Sequence, residues 1–463
     1  MNTFVNNYYS LLLDFIYDFK NLDYKGYTLS YFIHFPSLLR KSPIWNALRD
    51  SSIQPYLKNK GKTARDVQHV FNQYMETLKT KKNTVKNGKV VFLEDNLTRI
   101  PEKTYLQHFD VRNIIILKIG KKEQKSKGKL NIHYSEEYMM DNMRPAIVKV
   151  KMEAKNILEN FNHHILYKEK SFQNILFRKI DFTINQIGIA ENFLSKFPVS
   201  CLIISSPNHY GRIMAFVAAK LGIPTICLQH GIIANEFGYI PKIATIDAVY
   251  GHFEVDWYKK YGAKEDSLAI VGHPRFDQAF QKPKISKRKF YKKLKLNAKK
   301  PTVLLIIRST RQIEKWELLI QTIKENIDAN FIIRDFPNDP SHPLIKAFPF
   351  IRSTESFQLY DILPNVDVVI SYCSTVALES MLVNKPVFIM DSNLDSYTGY
   401  YNSLDYMVQK DPIKLAEQIH LYFTNDSVKK DVEKKIKDFL QYAYPKQTLS
   451  GKRLHELIQT FIN

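Results

Sequence analysis

The chain has 463 residues, 44% of them hydrophobic and 24% charged, a balance that excludes extended disorder and exceeds what one ordinary core organises. Its net charge of +21 points to an anionic partner: nucleic acid, anionic lipid headgroups or an acidic polymer. The three cysteines, Cys201, Cys227 and Cys373, lie far apart in apolar runs, which excludes a disulfide framework and predicts buried thiols in a reducing compartment.

Residues 1 to about 85 read as a helical, aromatic-rich extension with no assignable chemistry. The N-terminal stretch has no early positive charge, and Asp14 interrupts Leu11-Leu12-Leu13, so no secretory signal is expected. No apolar run approaches the ~18 residues that span a bilayer. A cytoplasmic protein is the expectation. Strand-like runs follow at Lys89–Leu93 and Val111–Ile119, and residues 137–196 are helical in pattern. His163-His164 has no third ligand at metal spacing and reads as a surface pair.

From Val199 the pattern sharpens. An apolar strand at Cys201–Ile204, a turn at Ser205–Gly211, a helix at Arg212–Leu221 stopped by Gly222 and a strand at Pro224–Leu228 make a βαβ unit. Strands at Ala248–Tyr250 and Leu268–Val271 complete the series, which ends in Gly272-His273-Pro274. Residues 282–300 hold ten Lys or Arg and no acid, interleaved with Phe290, Tyr291, Leu294 and Leu296. That pattern suits either a solvated linker or a short helix lying on an anionic membrane. Nucleic acid is not expected, since no binding motif accompanies the charge. The alternation restarts with strands at Thr302–Ile307, Asn330–Ile333, Asp367–Tyr372 and Pro386–Met390, with helices at Ile313–Ile327 and Thr375–Val383. The prediction is an α/β protein with two Rossmann-like domains facing across a cleft. Their bounds are 86–281 and 301–427, with C-terminal helices over 428–463.

At the βα junction Ser371-Tyr372-Cys373-Ser374-Thr375, the helix start offers unpaired N–H groups and a partial positive charge to a phosphate. Taken alone, a Ser or Thr there is what any helix cap requires. The longer stretch, SYCSTVALESMLVNKPVFIMD, resembles the donor-binding segment of GT-B-fold glycosyltransferases that build bacterial capsule and surface polysaccharides. It is similar too to CDP-glycerol glycerophosphotransferases. The resemblance implies that Ser374 and Thr375 bind the donor's phosphate, with Ser371 nearby and Glu379 as a supporting or ribose contact. GIPTICLQHGII is similar to the Gln-His-Gly turn that ends a strand in the N-terminal domain of the same group; chemically, Gly231 allows a sharp turn beside a ligand, and His230 at the strand's carboxyl end is placed to take a proton from an acceptor hydroxyl. An isolated His in such a place also serves as a structural residue bonded to backbone.

VGHPRFDQAF resembles the turn closing the N-terminal domain in transferases and UDP-sugar 2-epimerases. There Arg275 pairs with Asp277 or meets phosphate, and His273 is a lesser candidate. After Asn330–Ile333 the group places a basic residue and a His-Pro pair. Here Arg334 and Pro337 match, but Phe336 stands where His is expected; His342, in Ser341-His342-Pro343, is the substitute, or Phe336 stacks on the base. Arg308, with Ser309, Thr310 and Arg311, suits a diphosphate or an anionic sugar, and His209 and Tyr210 suit the acceptor. The sequence contains no Asp-x-Asp triplet, so a metal-independent transfer with no cofactor beyond the nucleotide-sugar is expected, onto an anionic glycan or lipid-linked acceptor. Three other functions share this pattern: a CDP-glycerol- or ribitol-type polyol-phosphate transferase, a UDP-sugar 2-epimerase and a non-catalytic glycan-assembly protein.

Overall fold

The structure, a computed structural model, describes residues 2–79, 85–121, 129–308, 312–336, 340–391, 396–445 and 449–462. The chain forms two compact units. One comprises Met1–Val249, Glu254–Pro274 and Gly451–Asn463, the other Tyr250–Phe253 and Arg275–Ser450.

The first unit is built on strands β1 (Lys89–Glu94), β2 (Ile114–Lys118), β3 (Ile132–Tyr134), β4 (Val199–Ile204), β5 (Thr225–Leu228), β6 (Ile246–Val249) and β7 (Leu268–Ile270). All pair in parallel, in the order β3-β2-β1-β4-β5-β6-β7. Their continuous apolar runs are what a parallel sheet covered on both faces requires, and β4 is buried at every residue. The residues before β1 are part of this unit. Helix α1 (Thr3–Asp18) turns Tyr8 against Phe237 at 4.5 Å, and α2 (Ala64–Leu78) opens on a Thr63–Asp66 capping box. The expected helical extension is thus folded into the domain, because its aromatics are core residues. Helices α3 (Arg144–Asn160) and α4 (Lys170–Lys196) follow β3, and α5 (His209–Lys220) joins β4 to β5. Helix α5 begins three residues before the expected Arg212 and ends before Gly222, whose left-handed φ of +75° glycine adopts without strain. His164, expected at the surface, is buried against Tyr167, with its Nε2 3.5 Å from Asp14.

The second unit has strands β8 (Thr302–Ile306), β9 (Asn330–Ile333), β10 (Ile351–Ser353), β11 (Val368–Tyr372), β12 (Val387–Met390) and β13 (Val408–Gln409). They form a parallel sheet in the order β10-β9-β8-β11-β12-β13. Its helices include α6 (Lys287–Leu294), α7 (Ile313–Asn326), α8 (Thr375–Leu382), α9 (Pro412–Thr424) and α10 (Asp426–Ala443). The final helix, α11 (Ser450–Ile462), returns to the first unit, where Leu454 and Ile458 join Phe92, Ile114 and Ile116 in one core cluster.

Helix α6 corrects the membrane-surface expectation for residues 282–300. Phe290, Tyr291 and Leu294 are buried in the second unit: Phe290 packs 4.9 Å from Phe357, and the Tyr291 hydroxyl lies 2.8 Å from Thr302 Oγ1. The apolar side meant for lipid is committed to the protein core. Phe290→Ala is therefore expected to destabilise this unit by about 3–5 kcal/mol, measured by chemical denaturation, instead of weakening vesicle binding. Among the described residues, no helix is long and apolar enough to cross a membrane. Cys201, Cys227 and Cys373 are buried free thiols.

Candidate active site

In an open parallel sheet, ligands settle at the carboxyl edge where the strand order reverses. In the second unit that point lies between β8 and β11. Helix α8 starts directly after β11, and Ser374 is its N-cap residue by backbone. Its side chain caps no helix N–H. The Ser374 and Ser371 hydroxyls instead lie 2.9 Å apart, and Ser371 Oγ donates to the Tyr372 carbonyl at 2.8 Å. With Ser371 donating there, the Ser374 hydroxyl donates to Ser371. Tyr401 pins the same turn by donating to the Ser374 carbonyl at 2.7 Å. The helix start is thus held rigidly without being blocked by its own cap. Arg308 follows β8 on the other side of the reversal and is exposed; its charge acts on the Tyr372 hydroxyl. Ser309, Thr310 and Arg311 lie outside the described residues.

Glu379 lies one turn into α8 and is 2% exposed. Arg275 Nη2 donates to its Oε1 at 2.8 Å, and the Tyr360 hydroxyl donates to its Oε2 at 2.7 Å. Burial alone would lower the Arg275 pKa, but the Glu379 carboxylate holds it above its ordinary value. Both carboxylate oxygens are engaged, so Glu379 supports the helix from behind and is not presented to a ribose. Arg275, expected to pair with Asp277 or to meet phosphate, is engaged by the Glu379 carboxylate, while Asp277 Oδ1 accepts the Ser450 N–H at 2.6 Å.

At the end of β9, Arg334 Nη1 donates to the Phe357 carbonyl at 2.7 Å, and its guanidinium lies 4.7 Å from the Phe336 ring centroid. Burial lowers the pKa of Arg334. Phe336 is 48% exposed, so one face remains for stacking. Pro337, Asn338 and Asp339 lie outside the described residues. His342 is the N-cap of the short helix Pro343–Ala347: its Nδ1 accepts the Leu344 N–H at 3.3 Å. The Nε2 then carries the ring proton, buried and without a hydrogen-bond partner among the described residues. Burial lowers the pKa of this imidazole.

The first unit reverses its strand order between β1 and β4, and the residues there form a second constellation. Ser205, after β4, donates from Oγ to Asp95 Oδ1 at 2.7 Å, and its carbonyl lies 2.8 Å from His230 Nδ1. A carbonyl only accepts, so Nδ1 carries the proton and Nε2 carries the lone pair. The imidazole is stacked on Tyr239 at 5.1 Å, with 12° between the rings. The Gly231 carbonyl accepts from Gln229 Nε2 and from the Tyr239 hydroxyl, both at 2.8 Å, which fixes the Gln-His-Gly turn. Gly231 is not among the left-handed glycines; Gly272, with φ +77°, is. His273 is buried at 1% exposure, which leaves no imidazole surface for an acceptor. His209 opens α5 in a left-handed conformation, φ +46°, with its ring 4.4 Å from that of His34.

Sequence reasoning missed Asp95, Tyr360 and His34. Asp95 carried a signal, because it follows a strand and opens an Asp-x-x-Thr turn in which its Oδ1 accepts the Leu97 and Thr98 N–H groups. Tyr360 and His34 carried none, since their partners are distant in the chain.

No family model and no curated protein matches the sequence. Solved structures do match in fold. A glycosyltransferase from Rickettsia africae is 14% identical, with 81% of this chain and 98% of that one covered and a TM-score of 0.50. UDP-GlcNAc 2-epimerase from Neisseria meningitidis, bound to UDP-GlcNAc, is 12% identical over 80% and 98%, with a TM-score of 0.50. A putative UDP-N-acetylglucosamine 2-epimerase from Listeria monocytogenes is 10% identical over 82% and 96%, with a TM-score of 0.52. With two parallel α/β units and these likenesses, the chain has the GT-B-like fold that a glycosyltransferase and UDP-GlcNAc 2-epimerases share.

Proposed function

We propose that this protein is a glycosyltransferase that moves a sugar from a nucleotide-sugar to a growing surface polysaccharide. The observation that carries the reading is the reversal point of the second sheet, where Arg308 and the uncapped start of α8 meet. The helix N–H groups, with Thr375 in the first turn, receive the donor's phosphate, and the arginines balance the charge that grows on the leaving group. That arrangement needs no metal. Phe336 offers the nucleobase a stacking face in place of the missing histidine, with Arg334 against its ring and His342 further along the chain as a second contact. In the first unit, His230 Nε2 is the base for the acceptor hydroxyl, oriented by the Ser205 carbonyl.

The test is a melting-point screen with CMP, CDP, UDP and GDP. A nucleotide at about 100 times its Kd stabilises the folded protein by roughly 2.7 kcal/mol, which for chains of this size raises Tm by several degrees. The Ser374→Ala/Thr375→Ala variant should lose most of that shift while keeping the ligand-free Tm within a few degrees. If no nucleotide moves the wild-type Tm at saturating concentration, the donor site is wrong. A UDP-sugar 2-epimerase has support from the shared fold, and it would turn over a lone nucleotide-sugar. The transferase should convert none of it without an acceptor.

A further inference from the structure

Five basic side chains gather at the start of α5: His34, Arg40, Lys179, His209 and Arg212. Among the described residues, none forms an ion pair with a carboxylate. Arg212 is 3% exposed, and its guanidinium donates only to neutral oxygens. These are the carbonyls of Pro207 at 2.8 Å, Tyr31 at 3.3 Å and Ile33 at 3.4 Å, and Asn208 Oδ1 at 3.3 Å. A buried charge without a counter-ion is costly, and hydrogen bonds to neutral groups offset only part of that cost. Burial pushes the Arg212 pKa down to about 10.

The two histidines report the same excess of positive charge. His34 is buried, and its Nδ1 has no hydrogen-bond partner among the described residues. His209 beside it reaches solvent. Burial, with the charges of Lys179, Arg212 and Arg40 and against a smaller opposing effect of the Asp95 carboxylate, pushes the His209 pKa down to about 4; burial, with Arg212, His209, Arg40 and Lys179, holds His34 well below its usual range. Lys179 Nζ lies 5.5 Å from the Phe182 ring centroid, and Phe182 packs 5.2 Å from Tyr210, the neighbour of His209. Arg40 ends the short helix Pro36–Leu39, which packs on α4, the helix that carries Lys179. Asn208, the N-cap residue of α5, makes no side-chain cap, so the first-turn N–H groups add to the field.

We propose that this cluster is an acceptor subsite for a phosphate or pyrophosphate group. Lys179, Arg40 and His209 touch the anion, while Arg212 supplies positive potential from behind the helix start. Three full positive charges and a helix N-terminus would stay over-balanced by a single carboxylate, whereas a di- or trianion neutralises them. The inference rests on the glycosyltransferase reading only for what carries the phosphate. The anion site itself stands on residues of the first unit.

The experiment is calorimetric titration of the full chain with inorganic pyrophosphate, in the Ser374→Ala/Thr375→Ala background so that the donor site does not contribute. Pyrophosphate should bind, and Lys179→Ala and Arg40→Ala should each weaken it by roughly tenfold. Glucuronate at the same ionic strength should bind far more weakly. Geranyl pyrophosphate binding more tightly than pyrophosphate assigns the anion to a lipid carrier, and equal binding assigns it to the glycan. Equal pyrophosphate affinity in the parent and in the Lys179→Ala/Arg40→Ala variant, or no binding at all, would overturn the site. The nucleotide-induced Tm shift, read on otherwise wild-type protein carrying those two substitutions, should be unchanged, so failure here and failure of the donor reading are separable.

Discussion

His230→Ala is expected to lower the rate of sugar transfer by roughly 10²–10⁴-fold while leaving the nucleotide-induced melting shift intact. The Ser205 carbonyl accepts from Nδ1 of the ring, which also stacks on Tyr239. That geometry fixes which nitrogen carries the lone pair, and it is what a base requires. A structural role alone predicts a different outcome. His230→Gln would then preserve the rate, because an amide N–H still reaches the Ser205 carbonyl, and the loss in alanine would follow stability. For a base, glutamine should be nearly as slow as alanine, since its amide cannot take the proton. The measurement is incorporation of labelled sugar into polymer, read beside the unfolding midpoint of each variant.

Arg275→Ala is expected to destabilise the second unit by roughly 3–5 kcal/mol, because it strands the Glu379 carboxylate in a buried place. Glu379 is 2% exposed and Arg275 15% exposed, so water cannot replace the lost partner cheaply. Tyr360 still donates one hydrogen bond to Glu379, which is too little for a full negative charge. Arg275→Ala/Glu379→Ala should therefore recover part of the loss, and the double-mutant cycle in denaturant gives the coupling directly. Additive effects would show that the pair contributes little. Because the pair sits behind the first turn of α8, Arg275→Ala should also reduce nucleotide binding.

Much of the fold was legible because a buried parallel sheet writes itself as apolar runs separated by turns. The runs at 201–204, 225–228, 302–306 and 368–372 are strands, with helices between them. The short strands Ile132–Tyr134, Ile351–Ser353 and Val408–Gln409 were missed, since two or three residues carry no period. All three, β3, β10 and β13, lie at sheet edges and are only partly buried. The aromatic N-terminal segment was read as an extension because its partners, such as Phe237 for Tyr8, are more than two hundred residues away. At the candidate site, local features such as the strand-to-helix turn at Ser374 could be read from sequence, since they depend on neighbours in the chain. The pairing of Arg275 with Glu379 could not. It depends on two turns that meet only in the folded unit.

Helix α11 carries a consequence for the order in which the molecule is made. Its Leu454 and Ile458 fill the core of a sheet whose first strand begins at Lys89. A nascent chain emerging from the ribosome therefore cannot close the hydrophobic interior of its first unit until residue 458 is free of the exit tunnel. By then all of the second unit has already emerged, and its own sheet is complete in sequence from β8 to β13. The domain begun first is the one finished last, and its half-built apolar sheet is the species a chaperone would meet.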